Sequence, residues 1–330
     1  MLNKLEKKKS ISRMDEFELI ETFFKSIIND RRDVILGIGD DAACISIPDG
    51  FDLLVSTDTL VLGRHFLPEW DGFDVAYKAL MTNISDIAAM GGQPVWLSLS
   101  LTLPEINKPW LSRFTKGLYA GMQEYNLALI GGDTTKGPLS ITITIQGLIP
   151  KGKCIKRAGA KPGDSIYISG PLGAAALAVK LLDKQGISEV LRQQLMHKLL
   201  HPKPRVDLAP VLQDHASAAI DISDGLSSDL NHICKASHVG ACIHEVSIPV
   251  AREVKQYLGS KALELALHGG DDYELCFTVA PNHEQDMLKK LQSLGITCYR
   301  IGMIDSESGI RMKDATDKYS ELAVSGYKHF

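Results

Sequence analysis

The sequence lacks the patterns that mark secreted, membrane-spanning or disulfide-bonded proteins. No uninterrupted apolar run approaches the ~20 residues needed to cross a bilayer. Residues 1–9 are basic, but the polar segment after them cannot serve as the apolar core of a secretory signal. The six cysteines are scattered without a Cys-x-x-Cys pair, which favours reduced thiols over disulfides or a zinc site. These absences predict a cytoplasmic protein with no membrane partner.

Common nucleotide-binding and catalytic signatures are also missing. There is no Gly-x-x-x-x-Gly-Lys-Ser/Thr sequence, which excludes a P-loop enzyme. No His-Glu-x-x-His, Gly-x-Ser-x-Gly or protein-kinase signature occurs, so covalent catalysis by serine or cysteine has no support. Gly37 and Gly39 begin a dinucleotide-like pattern, but Asp40 and Asp41 stand where a phosphate would need backbone amides. The formal net charge of −4 gives no general reason to expect nucleic acid as a partner.

The length and the alternation of apolar residues predict the domain organisation. A chain of 330 residues exceeds most single hydrophobic cores, and residues 150–163 combine glycine, proline and basic residues as domain junctions do. We therefore predict an N-terminal domain over residues 14–150 and a C-terminal domain over residues 151–330. Strict alternation over residues 95–103 and 140–149 predicts half-buried strands. Antiparallel strands mixed with helices favour an α+β fold over a doubly wound parallel sheet.

Helical spacing and turn residues predict further elements. Helices are predicted over residues 15–28, 74–90, 173–184 and 189–200. Short strands are predicted over residues 51–56 and 127–130, each followed at once by a turn that contains a carboxylate. We interpret this pairing of a strand end with an acidic turn as the recurring feature of the sequence.

Acidic turns of this kind occur at five places. They are Gly37-Ile38-Gly39-Asp40-Asp41, Ser56-Thr57-Asp58, Gly131-Gly132-Asp133-Thr134-Thr135, Asp221-Ile222-Ser223-Asp224-Gly225 and Gly269-Gly270-Asp271-Asp272. A further carboxylate, Asp86, lies within an otherwise apolar helical pattern. Any single Gly-Asp pair is more often an ordinary turn, but a carboxylate on an apolar helix is seldom buried without a partner.

Carboxylates gathered from distant turns would need positive charge between them. At ~4–5 Å and an effective dielectric near 20, each pair would repel by roughly 3–4 kcal/mol. Magnesium prefers oxygen ligands, keeps several waters, and is commonly anchored by a few carboxylates and the phosphates of a substrate. Glycines beside the carboxylates let the backbone approach such a ligand. The pattern therefore predicts a site for divalent cations and phosphates.

The acidic turns and their flanks resemble the thiamine-monophosphate kinase family. The matching strings span residues 37–42, 56–60 with His65 and Phe66, 78–80, 83–86, 88–91, 130–135, 160–164, 220–225 and 269–275. They follow the family order from about residue 15 to the C-terminus. This family is related to aminoimidazole ribonucleotide synthetase and selenophosphate synthetase.

The resemblance implies a fold, a reaction and partners. An N-terminal mixed or antiparallel sheet with helices would pair with that of a second subunit into a barrel, beside a C-terminal α+β domain. The active site would lie in the cleft at the domain and dimer interfaces of a homodimer. The implied reaction moves a phosphoryl group from ATP to thiamine monophosphate by direct in-line transfer, with several Mg²⁺ ions.

The resemblance also implies roles for individual residues. The implied metal ligands are Asp41, Ser56, Thr57, Asp58, Asp86, Asp133, Asp221 and Asp224. The implied ATP-binding residues are Tyr119, Gly132, Asp133, Arg157 and Ser223, with Tyr119 contributed across the dimer as one alternative. His65, Asp271 and Tyr327 would face thiamine monophosphate, and Asp58, Asp133 and Arg157 would be catalytic.

One residue departs from the family, and several readings stay open. Asp271 stands where the family usually has glutamate, which leaves direct, water-mediated and weaker substrate contact as alternatives. From the pattern alone, His65 also fits a structural hydrogen bond, Tyr119 a core position, and Arg157 solvated surface. The alternative functions are a metal-dependent phosphohydrolase, a non-catalytic ATP-binding protein, and a related ATP-dependent synthetase. The string over residues 271–275 argues against the last.

Overall fold

The computed structural model describes residues 15–25 and 31–327, which form two α+β halves. The strands of the first half are β1 (Val34–Leu36), β2 (Cys44–Ile45), β3 (Phe51–Val61), β4 (Gln93–Leu103), β5 (Ala128–Lys136) and β6 (Ser140–Pro150). Its helices are α1 (Glu16–Phe23), α2 (Gly72–Ala89) and α3 (Lys108–Tyr125). Four strands form one sheet in the order β3-β6-β4-β5, antiparallel except for the parallel pair β4–β5.

The second half is built on a larger sheet. Its strands are β7 (Ser165–Ile168), β8 (Ala216–Asp221), β9 (Gly240–His244), β10 (Leu275–Val279), β11 (Tyr299–Asp305), β12 (Gly309–Lys313) and β13 (Tyr319–Glu321). Its helices are α4 (Ala174–Lys180), α5 (Glu189–Leu200), α6 (Ala209–His215), α7 (Leu226–Ser237), α8 (Arg252–Leu258), α9 (Ala262–His268) and α10 (Pro281–Leu294). The sheet order is β13-β12-β9-β11-β7-β10-β8, with β9 and β12 parallel.

Alternating residues give the four-stranded sheet two different faces. Along β6, Ile141, Ile143 and Ile145 are buried, whereas Thr142 and Thr144 on the opposite face are only partly covered. The isoleucine face packs against α2, which packs in turn against α3. We call the opposite face, which carries the threonines, the outer face of the sheet.

Helix α2 lies where the two halves meet. Its first turn is capped by Asp71, whose carboxylate accepts a hydrogen bond from Phe73 N at 2.8 Å. One side packs on the four-stranded sheet, and other residues contact β8 and α5 of the second half. Because it is enclosed from both halves, α2 buries polar residues as well as apolar ones, and those polar residues position the site.

The α+β prediction is confirmed, and several element boundaries match closely. The predicted helix over residues 189–200 is α5, and the strand over residues 95–103 lies within β4. The helix predicted over residues 15–28 is α1, which Asp15 caps but which ends already at Phe23; residues 26–28 lie outside the described residues. The domain limits of residues 14–150 and 151–330 and the barrel stay predictions. Among the helices of the described part, none has the length and apolar character to cross a membrane.

Two predicted strand ends were wrong. Strand β3 continues past Ser56 to Val61, because it stays paired with β6 along its whole length. Strand β5 continues past Ile130 to Lys136 because it pairs with β4. Thr57, Asp58, Gly132 and Asp133 therefore lie within strands and not in turns. Helix α4 is also shorter than predicted, since the chain after Lys180 tightens into turns such as Lys184 N to Leu181 O.

Candidate active site

A cleft of about 670 Å³ lies between the two halves of the chain. One wall comes from β3, the segment after it and α2. The other comes from the turn after β8, the segment of residues 269–273 (the 269–273 loop), and the C-terminal segment. Nine residues predicted from the sequence line this cleft: Asp58, His65, Asp86, Arg157, Asp221, Ser223, Asp224, Asp271 and Tyr327. Its volume is in the range of small-molecule sites.

Strand β3 brings Asp58 into the cleft, because alternate side chains of the strand point to the same face. Ser56, Asp58 and Leu60 point to the same face of the strand, towards α2. Asp58 N donates a hydrogen bond of 3.2 Å to Asn83 Oδ1, and Asn83 Nδ2 donates in turn to Ala79 O at 2.9 Å. Buried Asn83 therefore joins β3 to α2 at the position of Asp58.

Asp86 lies opposite Ser56 on α2. Ser56 Oγ donates a hydrogen bond of 2.5 Å to Asp86 Oδ2. Burial raises the pKa of Asp86, while the hydroxyl of Ser56 and the positive charge of Arg157 oppose that rise. Asp86 is only partly buried, and its bond with Ser56 agrees with the sequence-based argument that a carboxylate on an apolar helix needs a partner.

Asp221 adds a carboxylate from the second half. It ends β8 and is 5% exposed, and Ser85 Oγ donates to its Oδ2 at 2.8 Å. Burial raises the pKa of Asp221 to about 8, and the charges of Asp86 and Asp58 add to the rise. We call Asp58, Asp86 and Asp221 the carboxylate cluster.

The carboxylate cluster offers oxygen donors to divalent cations, although its three carboxylates are not among the groups of described residues whose ligand atoms all lie within 4.8 Å of one another. Its three members come from both halves, and their mutual charge disfavours ionisation unless positive charge lies between them. The donors available are carboxylate oxygens, which suit Mg²⁺ and similar hard cations. Arg157 is a cation on the segment between β6 and β7, and its charge opposes the rise that burial causes in the pKa of Asp86.

A second group of possible ligands lies at the start of α7. Ligand atoms of Asp224, Asp229 and His232 lie within 4.8 Å of one another. Asp229 accepts hydrogen bonds from Asp224 N at 3.1 Å and Gly225 N at 3.0 Å, so it holds the turn that carries Asp224. Burial raises the pKa of Asp229 to about 7. Sequence reasoning missed Asp229 and His232, although an acid in the first turn of a helix is a recognisable signal.

The 269–273 loop is held in an unusual backbone conformation. Asp271 and Tyr273 both have positive φ, of 69° and 51°. Asp271 Oδ2 lies 3.2 Å from Lys78 Nζ, and Tyr273 Oη donates to Asp271 Oδ1 at 2.9 Å. No role was predicted for Lys78 or Tyr273. The signal that identified Asp86, a charged residue on an apolar helix, also applies to Lys78.

Two further acids, Asp272 within this loop and Glu274 directly after it, bind structural partners. Asp272 Oδ2 accepts a hydrogen bond from Gly173 N at 2.7 Å, and burial raises the pKa of Asp272 to about 8. Glu274 accepts from Arg205 Nη1 at 3.0 Å and from Ser169 Oγ at 2.5 Å. Both acids fix the loop to the framework of the second half.

The mouth of the cleft carries His65, Arg64 and Tyr327. Val61 N donates to His65 Nδ1 at 3.0 Å, which orients the imidazole of His65. The Arg64 guanidinium lies 6.0 Å from the centroid of the Tyr327 ring. Tyr327 N donates to Asp224 O at 3.2 Å, so the C-terminal segment folds back over the cleft.

Six predicted residues do not line the cleft within one chain, and one of them, Ser56, lies beside it as the donor to Asp86. Thr57 points to the outer face, where its hydroxyl lies 2.9 Å from that of Thr144. Asp41 and Tyr119 are exposed elsewhere on the first half. Gly132 and Asp133 line a separate depression of about 60 Å³ beside α1.

The two halves correspond to a known pair of domains. Residues 39–149 match the AIR synthase related protein N-terminal domain, and residues 161–315 match the C-terminal domain. The class defined by the fold and the site is therefore that of the AIR synthase related proteins.

Comparison with individual proteins narrows this class. Thiamine-monophosphate kinase of Salmonella typhimurium is 48% identical over 295 residues, covering 88% of this chain and 91% of that protein. The crystal structure of thiamine-monophosphate kinase from Stenotrophomonas maltophilia K279a has a TM-score of 0.83 and 40% identity, covering 91% of this chain and 96% of that chain. The structure of AaThiL complexed with AMPPCP and TMP has a TM-score of 0.77 and 31% identity, with coverages of 96% and 97%. The chain belongs to the thiamine-monophosphate kinase family, and it is an enzyme of the kinase class.

Proposed function

We propose that this enzyme transfers the γ-phosphoryl group of ATP to thiamine monophosphate and forms thiamine diphosphate. The observation that carries the proposal is that one cleft joins the carboxylate cluster to His65, Asp271 and Tyr327. Binding of AMPPCP and TMP by the similar protein AaThiL supports the same pair of ligands here. The cytoplasmic location inferred from the sequence stays a prediction.

The reaction needs charge neutralisation more than it needs a base. The acceptor atom is a phosphate oxygen of low basicity, so the main obstacle is the approach of two anions. Bound Mg²⁺ would supply positive charge to both phosphates. The residues proposed to hold it are Asp58, Asp86, Asp221 and Asp224.

Side chains of the protein orient the proposed metal ligands and phosphates. Ser56 and Ser85 each donate a hydrogen bond to one carboxylate of the cluster, which fixes its rotamer before ligands arrive. Arg157, exposed at the cleft, is proposed to stabilise charge on the phosphates, since a guanidinium matches phosphate geometry. Ser223, in the turn after β8, is proposed to face ATP.

We further propose that the outer face of the four-stranded sheet pairs with a second copy of the chain. Every second residue of β3 is exposed on this face, including Leu53, Val55 and Val61, and Val55 is 59% exposed. The ladder pairs Ser100 with both Thr142 and Asp133, so Asp133 belongs to this face as well. A partner packed on this face would lie beside Asp133. This arrangement supports a role in the active site for predicted residues such as Asp133 that lie outside the cleft within one chain.

A substrate-dependence assay tests the proposed function. ADP formation is measured with ATP and Mg²⁺, in the presence of thiamine monophosphate, of free thiamine, or of neither. The proposal requires ADP formation that depends on thiamine monophosphate, with thiamine diphosphate as the product. Phosphate release that is independent of the acceptor would favour the phosphohydrolase alternative.

A further inference from the structure

Lys78 is a buried cation in the wall of the cleft. Its side chain is 2% exposed, although lysine is rarely buried unless it is paired. It lies on α2 one turn before Thr82 and two turns before Asp86, and all three line the cleft. Lys78 therefore belongs to the same helical stripe as a member of the carboxylate cluster.

The partners of Lys78 all belong to the second half of the chain. Its ammonium donates to Leu199 O at 3.0 Å and lies 3.2 Å from Asp271 Oδ2. It also lies 5.6 Å from the centroid of the Tyr273 ring. An ammonium removed from water requires such partners, so its position and theirs depend on each other. One side chain thus joins α2 to the end of α5 and to the 269–273 loop.

The 269–273 loop in turn contacts the turn that carries Ser223. Asp271 N donates to Ser223 O at 2.9 Å, and Tyr273 N donates to Ile222 O at 2.9 Å. The positive φ of Tyr273 is a conformation that a bulky residue adopts only when its surroundings enforce it. The ion pair with Lys78 and the hydrogen bond from Tyr273 to Asp271 are contacts able to enforce it.

The short side chain of Asp271 makes its contacts with Lys78 and Tyr273 more important. Aspartate has a single methylene between its backbone and its carboxylate. The direction of its carboxylate therefore depends closely on the position of its backbone and on the groups that bind its two oxygens. Both of its oxygens already bind groups of the protein, Lys78 and Tyr273, which hold that carboxylate in one orientation.

We propose that Lys78 is a positioning residue for thiamine monophosphate, acting through Asp271. It holds the carboxylate of Asp271 and the 269–273 loop in the orientation that receives the acceptor substrate. The inference rests on the proposed function for the identity of that substrate. Loss of the ammonium would leave the carboxylate of Asp271 without its ion-pair partner and loosen its orientation, so the acceptor would bind more weakly while ATP would be largely unaffected.

Lys78→Met tests this inference because it keeps the apolar stem and removes the ammonium. KM for thiamine monophosphate should rise about tenfold or more, the scale of one hydrogen bond to a charged group. KM for ATP should change less than about twofold, and kcat should fall less than the acceptor KM rises. The matched control is Lys198→Met, an exposed lysine beside Leu199, which should leave both KM values unchanged.

A double variant separates positioning from a direct contact or a purely structural role. If Lys78 acts through Asp271, then Lys78→Met/Asp271→Asn and Asp271→Asn should share the same KM for thiamine monophosphate within about twofold. The double variant removes both charges together, so no unpaired charge is left at this position. It provides a folded protein for the test if Lys78→Met alone does not fold. Thermal unfolding shows whether each variant is folded.

Three results would overturn the inference. They are an unchanged acceptor KM in folded Lys78→Met, equal increases in both KM values, or a double variant much weaker than Asp271→Asn. Failure of the proposed function is recognised separately, because the unmodified enzyme would then form no ADP in response to thiamine monophosphate.

Discussion

Ser85 Oγ donates a hydrogen bond of 2.8 Å to Asp221 Oδ2, although the two residues lie in different halves of the chain. Ser85 precedes Asp86, and Asp221 ends β8, so this bond holds two acids of the carboxylate cluster near each other. The cluster therefore depends on how the halves pack, and the charge it gathers explains why cation binding and catalysis are expected at the same place.

Asp58→Asn should reduce turnover by at least about 100-fold, because it removes charge where the transferred phosphoryl group is proposed to be stabilised. The shape of the side chain is nearly kept, and Asp58 N still donates to Asn83. Unfolding temperature should stay close to that of the unmodified protein. Asp286→Asn, an exposed acid on α10, is the matched control. Turnover like that of the unmodified enzyme would remove Asp58 from the proposed machinery.

Gly132→Ala should destabilise the first half, whereas Gly131→Ala should not. A Cβ on Gly132 would lie 1.9 Å from Leu99 O in the neighbouring strand, while a Cβ on Gly131 meets nothing within 4 Å. The expected loss for Gly132→Ala is about 1–3 kcal/mol, the usual range for overpacking. Gly131→Ala should stay within about 0.5 kcal/mol. Chemical denaturation measures both, and equal stability of the two variants would contradict the close approach of β4 and β5.

Asp272 should make the metal-free protein less stable as pH rises. Its pKa is raised from 3.8 to about 8 by burial, so between these values the folded state binds more protons than the unfolded state. The sign is therefore a loss of stability with increasing pH, approaching about 1.4 kcal/mol per pH unit for this group. Asp272→Asn keeps an acceptor for Gly173 N and removes the titration.

Urea unfolding from pH 5 to 8 in the presence of a chelator measures this slope. Asp272→Asn should flatten the dependence on pH by about one proton relative to the unmodified protein. Asp214→Asn, at an exposed ion pair with Lys153, should leave the slope unchanged. An identical slope in Asp272→Asn would show that Asp272 does not titrate in this range.

Val55→Lys should weaken the proposed homodimer. Val55 is 59% exposed on the outer face of the four-stranded sheet, and a charge there would have to be desolvated in a paired interface. Val246→Lys is the control, because Val246 is 74% exposed and lies in the second half. Sedimentation velocity over a range of concentrations should show a dimer that Val55→Lys shifts to monomer. A dimer unaffected by Val55→Lys would place the interface elsewhere.

Elements with strong local signals could be predicted from the sequence. Helix α5 was located to its terminal residues, and in the structure Ser188 caps its start and Pro202 follows its end. The ends of β3 and β5 could not be predicted, because Thr57 to Val61 and Gly131 to Lys136 form strand only through pairing with β6 and β4. Their local sequences contain the glycines and acids that usually mark turns.

In the candidate site, too, single anomalous residues could be identified from the sequence, whereas contacts between distant residues could not. Asp86 could be identified because a carboxylate on an apolar helix is anomalous by itself, and Lys78 carried an equal signal. The meeting of Asp58 with Asp221 depends on the packing of two halves, for which the residues alone give no distance. Gly173 N, which donates to Asp272, and Leu199 O, which accepts from Lys78, are backbone groups, so side-chain patterns cannot reveal them.

The central claim is that carboxylates from both halves share divalent cations beside the phosphates. Anomalous diffraction from a crystal grown with Mn²⁺, a non-hydrolysable ATP analogue and thiamine monophosphate tests it most directly. The account predicts manganese peaks within coordination distance, ~2.0–2.6 Å, of oxygens of Asp58, Asp86 and Asp221. Both phosphate-bearing ligands should occupy the same cleft. Ligands bound in that cleft with no manganese against these three carboxylates would contradict the account.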